Sequence, residues 1–100
     1  MKLTLVSLYD RSIKAYDRPL AVPNVGMAKV QLYGLVNTPD DNEPLYTNPE
    51  QFVLYNVGEF CTDTGTLTVL DPSEIVMECE FLRDESLHEN NESETGDDNA

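Results

Sequence analysis

The last seventeen of the 100 residues limit what this chain can fold into. Residues 84–100 hold seven acids (Asp84, Glu85, Glu89, Glu92, Glu94, Asp97 and Asp98), no Lys or Arg, and one large apolar side chain, Leu87. Such a segment cannot bury enough apolar surface to offset an ordering cost of ~1–2 kcal/mol per residue, so an acidic, disordered tail is expected there. The folding unit is then a small domain over residues 1–83. A core that small removes only roughly 60–65% of the unfolded surface from water, and forming a homodimer would help it.

The remaining charge is uneven. Residues 1–39 set Lys2, Arg11, Lys14, Arg18 and Lys29 against Asp10 and Asp17, whereas residues 40–83 set Arg83 alone against ten acids. With a net charge of −13, a uniformly basic face for duplex DNA is ruled out and an anionic membrane surface is disfavoured. No apolar run approaches the ~20 residues of a membrane-spanning helix, and the short one at residues 3–8 does not make a secretory signal. A cytoplasmic protein without a membrane partner is expected. Cys61 and Cys79, far apart and without partners at metal-ligand spacing, fit that compartment as reduced thiols. Asn91-Glu92-Ser93 matches a glycosylation acceptor only by chance in such a setting.

Hydropathy patterning predicts an α+β fold: a small antiparallel sheet, made of an N-terminal strand or hairpin and a second hairpin at residues 52–70, packed with one or two helices. Residues 3–8 read as an interior strand, Asp10-Arg11-Ser12 as a turn, and residues 13–17 as a short return strand. Pro19 and Pro23 keep the next stretch extended. Asn24 reads as the N-cap of a helix over Val25–Asn37, with Val25, Ala28, Leu32, Leu35 and Val36 as its buried stripe. Residues 39–49, with Pro39, Pro44 and Pro49, read as a loop. Two β-rich runs around Thr62-Asp63-Thr64-Gly65 read as the second hairpin. Asp71-Pro72-Ser73-Glu74 has the form of a helix start, with Ile75, Val76, Cys79 and Leu82 on its apolar side.

The chemistry-bearing residues are mostly missing. There is no Gly-rich phosphate loop, and the single His, His88, falls in the tail, so neither a His-based triad nor a His-rich metal site can be built in the domain. Asp40, Asp41 and Glu43 lack the ligand spacing and central Gly of a calcium loop. No enzyme activity, cofactor or metal is expected. What does stand out is bases interleaved with aromatics: Tyr9, Arg11, Lys14, Tyr16 and Arg18 within ten residues, and Lys29 on the helix. Single-stranded nucleic acid is held by phosphate neutralisation and by stacking of bases on aromatic rings, for which these residue types are suited. The competing reading makes the tyrosines edge caps of the core and the bases ordinary solubilising charges. The tail, for its part, would either solubilise, mimic a polyanion or dock on a basic protein.

The order Tyr9-Asp10-Arg11, Pro19, Pro23-Asn24, Gly26, Ala28 and Lys29, Val36-Asn37, Pro49-Glu50-Gln51-Phe52, Leu54-Tyr55, Gly58-Glu59-Phe60 and Thr64-Gly65 resembles the small nonstructural protein of gokushovirus-type microviruses, tailless phages with circular single-stranded DNA. It departs from that pattern at Lys29, where Arg is expected, at Cys61, where an acid is usual, and in its long acidic tail. The resemblance implies a non-enzymatic protein of the host cytoplasm that acts in viral DNA replication or in the switch to single-stranded DNA synthesis and packaging. Its partners would be single-stranded DNA and viral replication or assembly proteins; the residues read above as suited to single strands, Arg11, Lys14, Arg18 and Lys29 for phosphates and Tyr9 and Tyr16 for bases, would make the DNA contact. The alternative is an adaptor that docks on the replication initiator or procapsid without touching DNA.

Overall fold

The structure, a computed structural model, describes residues 1–86. His88, Leu87, Asn91-Glu92-Ser93 and most of the expected acidic tail lie outside the described residues.

Five strands form one antiparallel sheet. Strand β1 (Lys2–Asp10) turns into the short β2 (Ala15–Tyr16), and β3 (Leu20–Val22) comes back along the same edge of β1. On its other edge β1 pairs with β4 (Phe52–Cys61), which in turn pairs with β5 (Leu67–Glu78). Helix α1 (Val25–Asn37) and the single-turn α2 (Pro44–Thr47) cover one face of this sheet at one end. The expected fold class is the one found.

Local chemistry explains the elements that were legible. The Asn24 side chain accepts from the Met27 N–H at 3.0 Å, satisfying one of the orphan donors that begin any helix. At the other end, the Thr38 N–H closes on the Gly34 carbonyl at 3.0 Å. Ala28, Leu32 and Val36 are buried and meet Val6, Val22, Leu45, Leu54 and Cys79 in the core, with Val25 packed alongside. Leu35 departs from the expected stripe: it is 42% exposed, because α1 rests on the sheet along a narrow line and Leu35 sits to one side of it, over a cavity of about 320 Å³ between sheet and helices.

Two further expectations are corrected. Residues 39–49 are not all loop, since Pro44 opens α2 and Pro49 opens a 3-10 turn, Pro49–Gln51. Both prolines occupy first-turn positions, where a missing N–H costs nothing, and the Glu43 side chain caps α2 by accepting from the Leu45 N–H. The second helix does not begin at Asp71. Strand β5 runs through Asp71-Pro72, whose peptide bond is cis, as far as Glu78. Pairing with β4 overrides the local cap signal, and Ile75 and Val76 are β-branched residues that suit a strand. The apolar side chains expected of that helix are therefore split. Cys79 and Leu82 reach the core from a 3-10 turn, Cys79–Leu82, and Val76 packs against it, while Ile75 and Phe81 are exposed.

Chain geometry is tightest where β4 and β5 cross. Val57 is an extra residue opposite β1, and residues 70–73 bulge out of β5 between the pairs Asn56–Glu74 and Gly58–Val69. A Cβ on Gly58 would collide with the Thr68 carbonyl oxygen, so only glycine lets the two backbones pass. In the hairpin turn, Gly65 has φ +72°, a region glycine enters without steric cost.

Both cysteines are free thiols. The Thr64 hydroxyl and the backbone N–H groups of Thr64 and Asp63 hold the half-buried Cys61 thiol below its ordinary pKa. Burial pushes the Cys79 thiol up from 9.0 to about 11, because a thiolate there would be stripped of water.

Two measurements follow from this packing. Gly34 is a solvent-exposed helical glycine with open space around it, so Gly34→Ala should stabilise the fold by ~0.5–1 kcal/mol. Gly58→Ala should destabilise it by about 1–3 kcal/mol; urea unfolding of both variants gives the two signs. For the thiols, native protein should react with a disulfide reagent at Cys61 only, and Cys79 should react only on unfolding. The folded chain keeps the Cys79 proton that the unfolded chain loses. This contribution to stability is thus whole below pH 9.0 and lost as the pH rises towards about 11, on the order of 2 kcal/mol in all. A Cys79→Ala variant should lack that slope in denaturation at alkaline pH.

Candidate nucleic-acid interface

Period-2 alternation in β1 sends Val6 and Leu8 towards the helices and Ser7 and Tyr9 to the opposite, helix-free face. Cross-strand pairing then gathers three tyrosines on that face. Tyr9 lies opposite Tyr16 of β2, Ser7 lies opposite Tyr55 of β4, and Tyr55 lies opposite Ile75 of β5. Ring centroids are 4.8 Å apart for Tyr9–Tyr16, 5.3 Å for Tyr16–Tyr55 and 6.2 Å for Tyr9–Tyr55, with tilted or edge-to-face planes. These are the arrangements that ring quadrupoles favour. Val53, whose cross-strand partners are Tyr9 and Glu78, is only 2% exposed although no helix covers it. Its cross-strand neighbour Tyr9 carries one of the three rings on that face. Ser7, buried beside them, donates its hydroxyl to the Asp17 carbonyl at 2.7 Å.

Tyr16 stands outermost, 52% exposed. Loss of hydration within the cluster, followed by its interactions with Tyr55, holds its phenol above the ordinary value. The cluster thus combines a fixed aromatic base with one accessible ring.

The six sequence-derived residues divide between the two sides of the sheet. Tyr9, Tyr16 and Arg11 come together on the tyrosine face. Arg11 is already engaged there: its Nη1 donates to the Glu50 carbonyl at 2.6 Å and its Nη2 pairs with the Glu78 carboxylate. The hydrogen bond to Glu78 raises its pKa further, with Glu78 and Glu80 adding field. Lys14 sits exposed in the β1–β2 turn at φ 55° and makes no ion pair among the described residues. Arg18 borders the cavity on the helix side, with Leu32 and Leu54. Lys29 is carried by α1, also on that side.

Tyr55 and Glu78 join the site without a signal in the amino-acid order. Tyr55 was readable as a strand residue two positions from Val53, but its meeting with Tyr9 depends on the β1–β4 register. Glu78 falls within the segment expected to be the second helix, so its pairing with Arg11 has no sequence signal. Among the described residues, no three His, Cys, Asp or Glu side chains converge to hold a metal ion. Asp40 instead accepts from the Asn42 N–H at 2.9 Å, as a turn residue does. No described helix is long and apolar enough to cross a membrane.

The structure defines a small single-sheet α+β protein, with helices on one face and an open tyrosine cluster on the other. The chain belongs to the phage ORF5 protein family, whose model matches residues 3–82, and is thus a phage protein. No curated protein and no solved structure matches it.

Proposed function

We propose that this chain is a non-enzymatic nonstructural protein of the gokushovirus type. It acts in the host cytoplasm, in viral DNA replication or in the switch to single-stranded DNA synthesis and packaging, by weak contact with single-stranded DNA. The tyrosine cluster carries this reading. Three rings on the helix-free face of an antiparallel sheet, one of them half exposed, are a surface on which unpaired bases stack at ~1–3 kcal/mol each, whatever their sequence. Lys14 beside the cluster supplies phosphate contact, while Arg11 contributes only the charge that Glu78 leaves unmatched. Arg18 and Lys29, on the helix side, drop out of the contact set. Few phosphates are neutralised and the whole chain is acidic, so binding is modest and falls steeply with salt.

A second reading, an adaptor that docks on the replication initiator or procapsid, draws on Leu67, Val69 and Ile75, which stand exposed along β5. Fluorescence anisotropy of a labelled single-stranded oligonucleotide separates the two. Binding at low salt should weaken at least ~fivefold in Tyr16→Ala and strengthen in Glu78→Gln, which releases Arg11. Absence of binding by the full chain at low salt would remove the DNA reading and leave the adaptor.

A further inference from the structure

Towards the other end the sheet continues as an arm built from the first half of β1, the second half of β4 and the first half of β5, with β3 alongside β1 from Thr4 to Val6. Its register separates two kinds of side chain. Leu3, Phe60 and Leu67 form one row across the strands, and Leu5, Gly58 and Val69 the next. These rows share the helix-free face. The intervening rows, Lys2 with Cys61 and Thr4 with Glu59 and Thr68, belong to the other face. The charges of that second face are matched within it, Lys2 lying 3.7 Å from Glu59. Leu67 is 59% and Val69 68% exposed, and Ile75 prolongs the row along β5 past the bulge.

We infer that this face of the arm packs against the same face of a second copy of this chain. Three observations select that occupant. First, the two rows contain no charged or polar side chain, so two chains that each carry a net charge of −13 meet here at the least electrostatic cost, whereas an ionic partner finds nothing to pair with. Second, extension of the sheet by edge pairing is blocked. The free edge of β5 is broken by the bulge at residues 70–73 and bears Asp71, Pro72 and Glu74, the devices that keep strand edges apart. Only the face is left. Third, its size suits a reversible dimer. About five residues per strand at ~3.3 Å and three strands at ~4.8 Å, extended along β5 to Ile75, give a footprint of roughly 300 Å² on each copy, the scale of a weak, concentration-dependent contact and not of a permanent one. A two-fold arrangement makes such a patch self-complementary, and it leaves Tyr9 and Tyr16, further along the same face beyond the bulges at Val57 and residues 70–73, outside the contact.

Sedimentation velocity of the full chain without DNA, over a hundredfold range of concentration, tests this. The expected result is a concentration-dependent shift from 11.2 kDa to twice that mass. Because like charges oppose the contact, added salt should strengthen it, the reverse of its effect on DNA binding. Leu67→Lys and Val69→Lys, both at exposed positions, should each weaken association at least tenfold. Thr68→Lys, which adds the same charge to the opposite face of the same strand, should not. Circular dichroism checks that each variant is folded. A monomer at every concentration, or equal loss in Thr68→Lys, overturns the proposal, and neither result bears on whether Tyr16 binds DNA.

Discussion

Everything in this fold is hung on β4, held between β1 and β5, and its tightest point is the passage of the Thr68 carbonyl over Gly58. A side chain there would push β5 away from its partner. With glycine, β5 stays in register on both sides of its bulge, carries Glu78 to Arg11, and delivers Cys79 into the core. The close approach in the middle of the sheet therefore fixes contacts at its end. The same strand explains why the protein has two unlike faces. One helix of thirteen residues and one of four can cover a single face at one end, and the rest of the sheet must be furnished with residues that tolerate water or wait for a partner.

Much of this was legible in the amino-acid order, and the reasons are local. Asn24 and the spacing of Ala28, Leu32 and Val36 define α1 to the residue, because cap and stripe agree. Gly65 marks the hairpin turn, because its positive φ is disfavoured for other residues. What was not legible depends on distant partners. Asp71-Pro72 carries every sign of a helix start, yet β4 offers β5 a row of backbone hydrogen bonds that the isolated segment does not reveal. The site shows the same division. Tyr9 and Tyr16 are close in sequence and were placed together, whereas Tyr55 joins them only through the β1–β4 register, and Arg18 and Lys29 turn to the far side for equally non-local reasons.

On the helix-free face, the bulges at Val57 and at residues 70–73 divide two chemistries. One end is aromatic and bordered by charge, suited to planar, ionic ligands. The other is aliphatic and uncharged, suited to its own kind. Ser7, Tyr16, Asp17, Pro19, Val57 and Ser73 line a shallow cleft of about 280 Å³ between them. A sheet covered on both sides could offer neither surface.

The final described turn of the chain is fastened in a particular place. Asp84 accepts a hydrogen bond from the Tyr33 hydroxyl at 2.8 Å and donates its own N–H to the Asn37 side chain at 2.7 Å, while Asn37 also donates to the Leu82 carbonyl at 2.9 Å. Arg83, next to it, donates to the Tyr46 carbonyl and lies over the Tyr46 ring, 4.9 Å from its centroid. This clasp anchors the C-terminal direction on the helix-bearing side, with the thickness of the sheet between it and the tyrosines. A dye or surface tether attached at Asp84 is thereby held at the rear of the molecule, so both open surfaces can be immobilised facing outward for measurement.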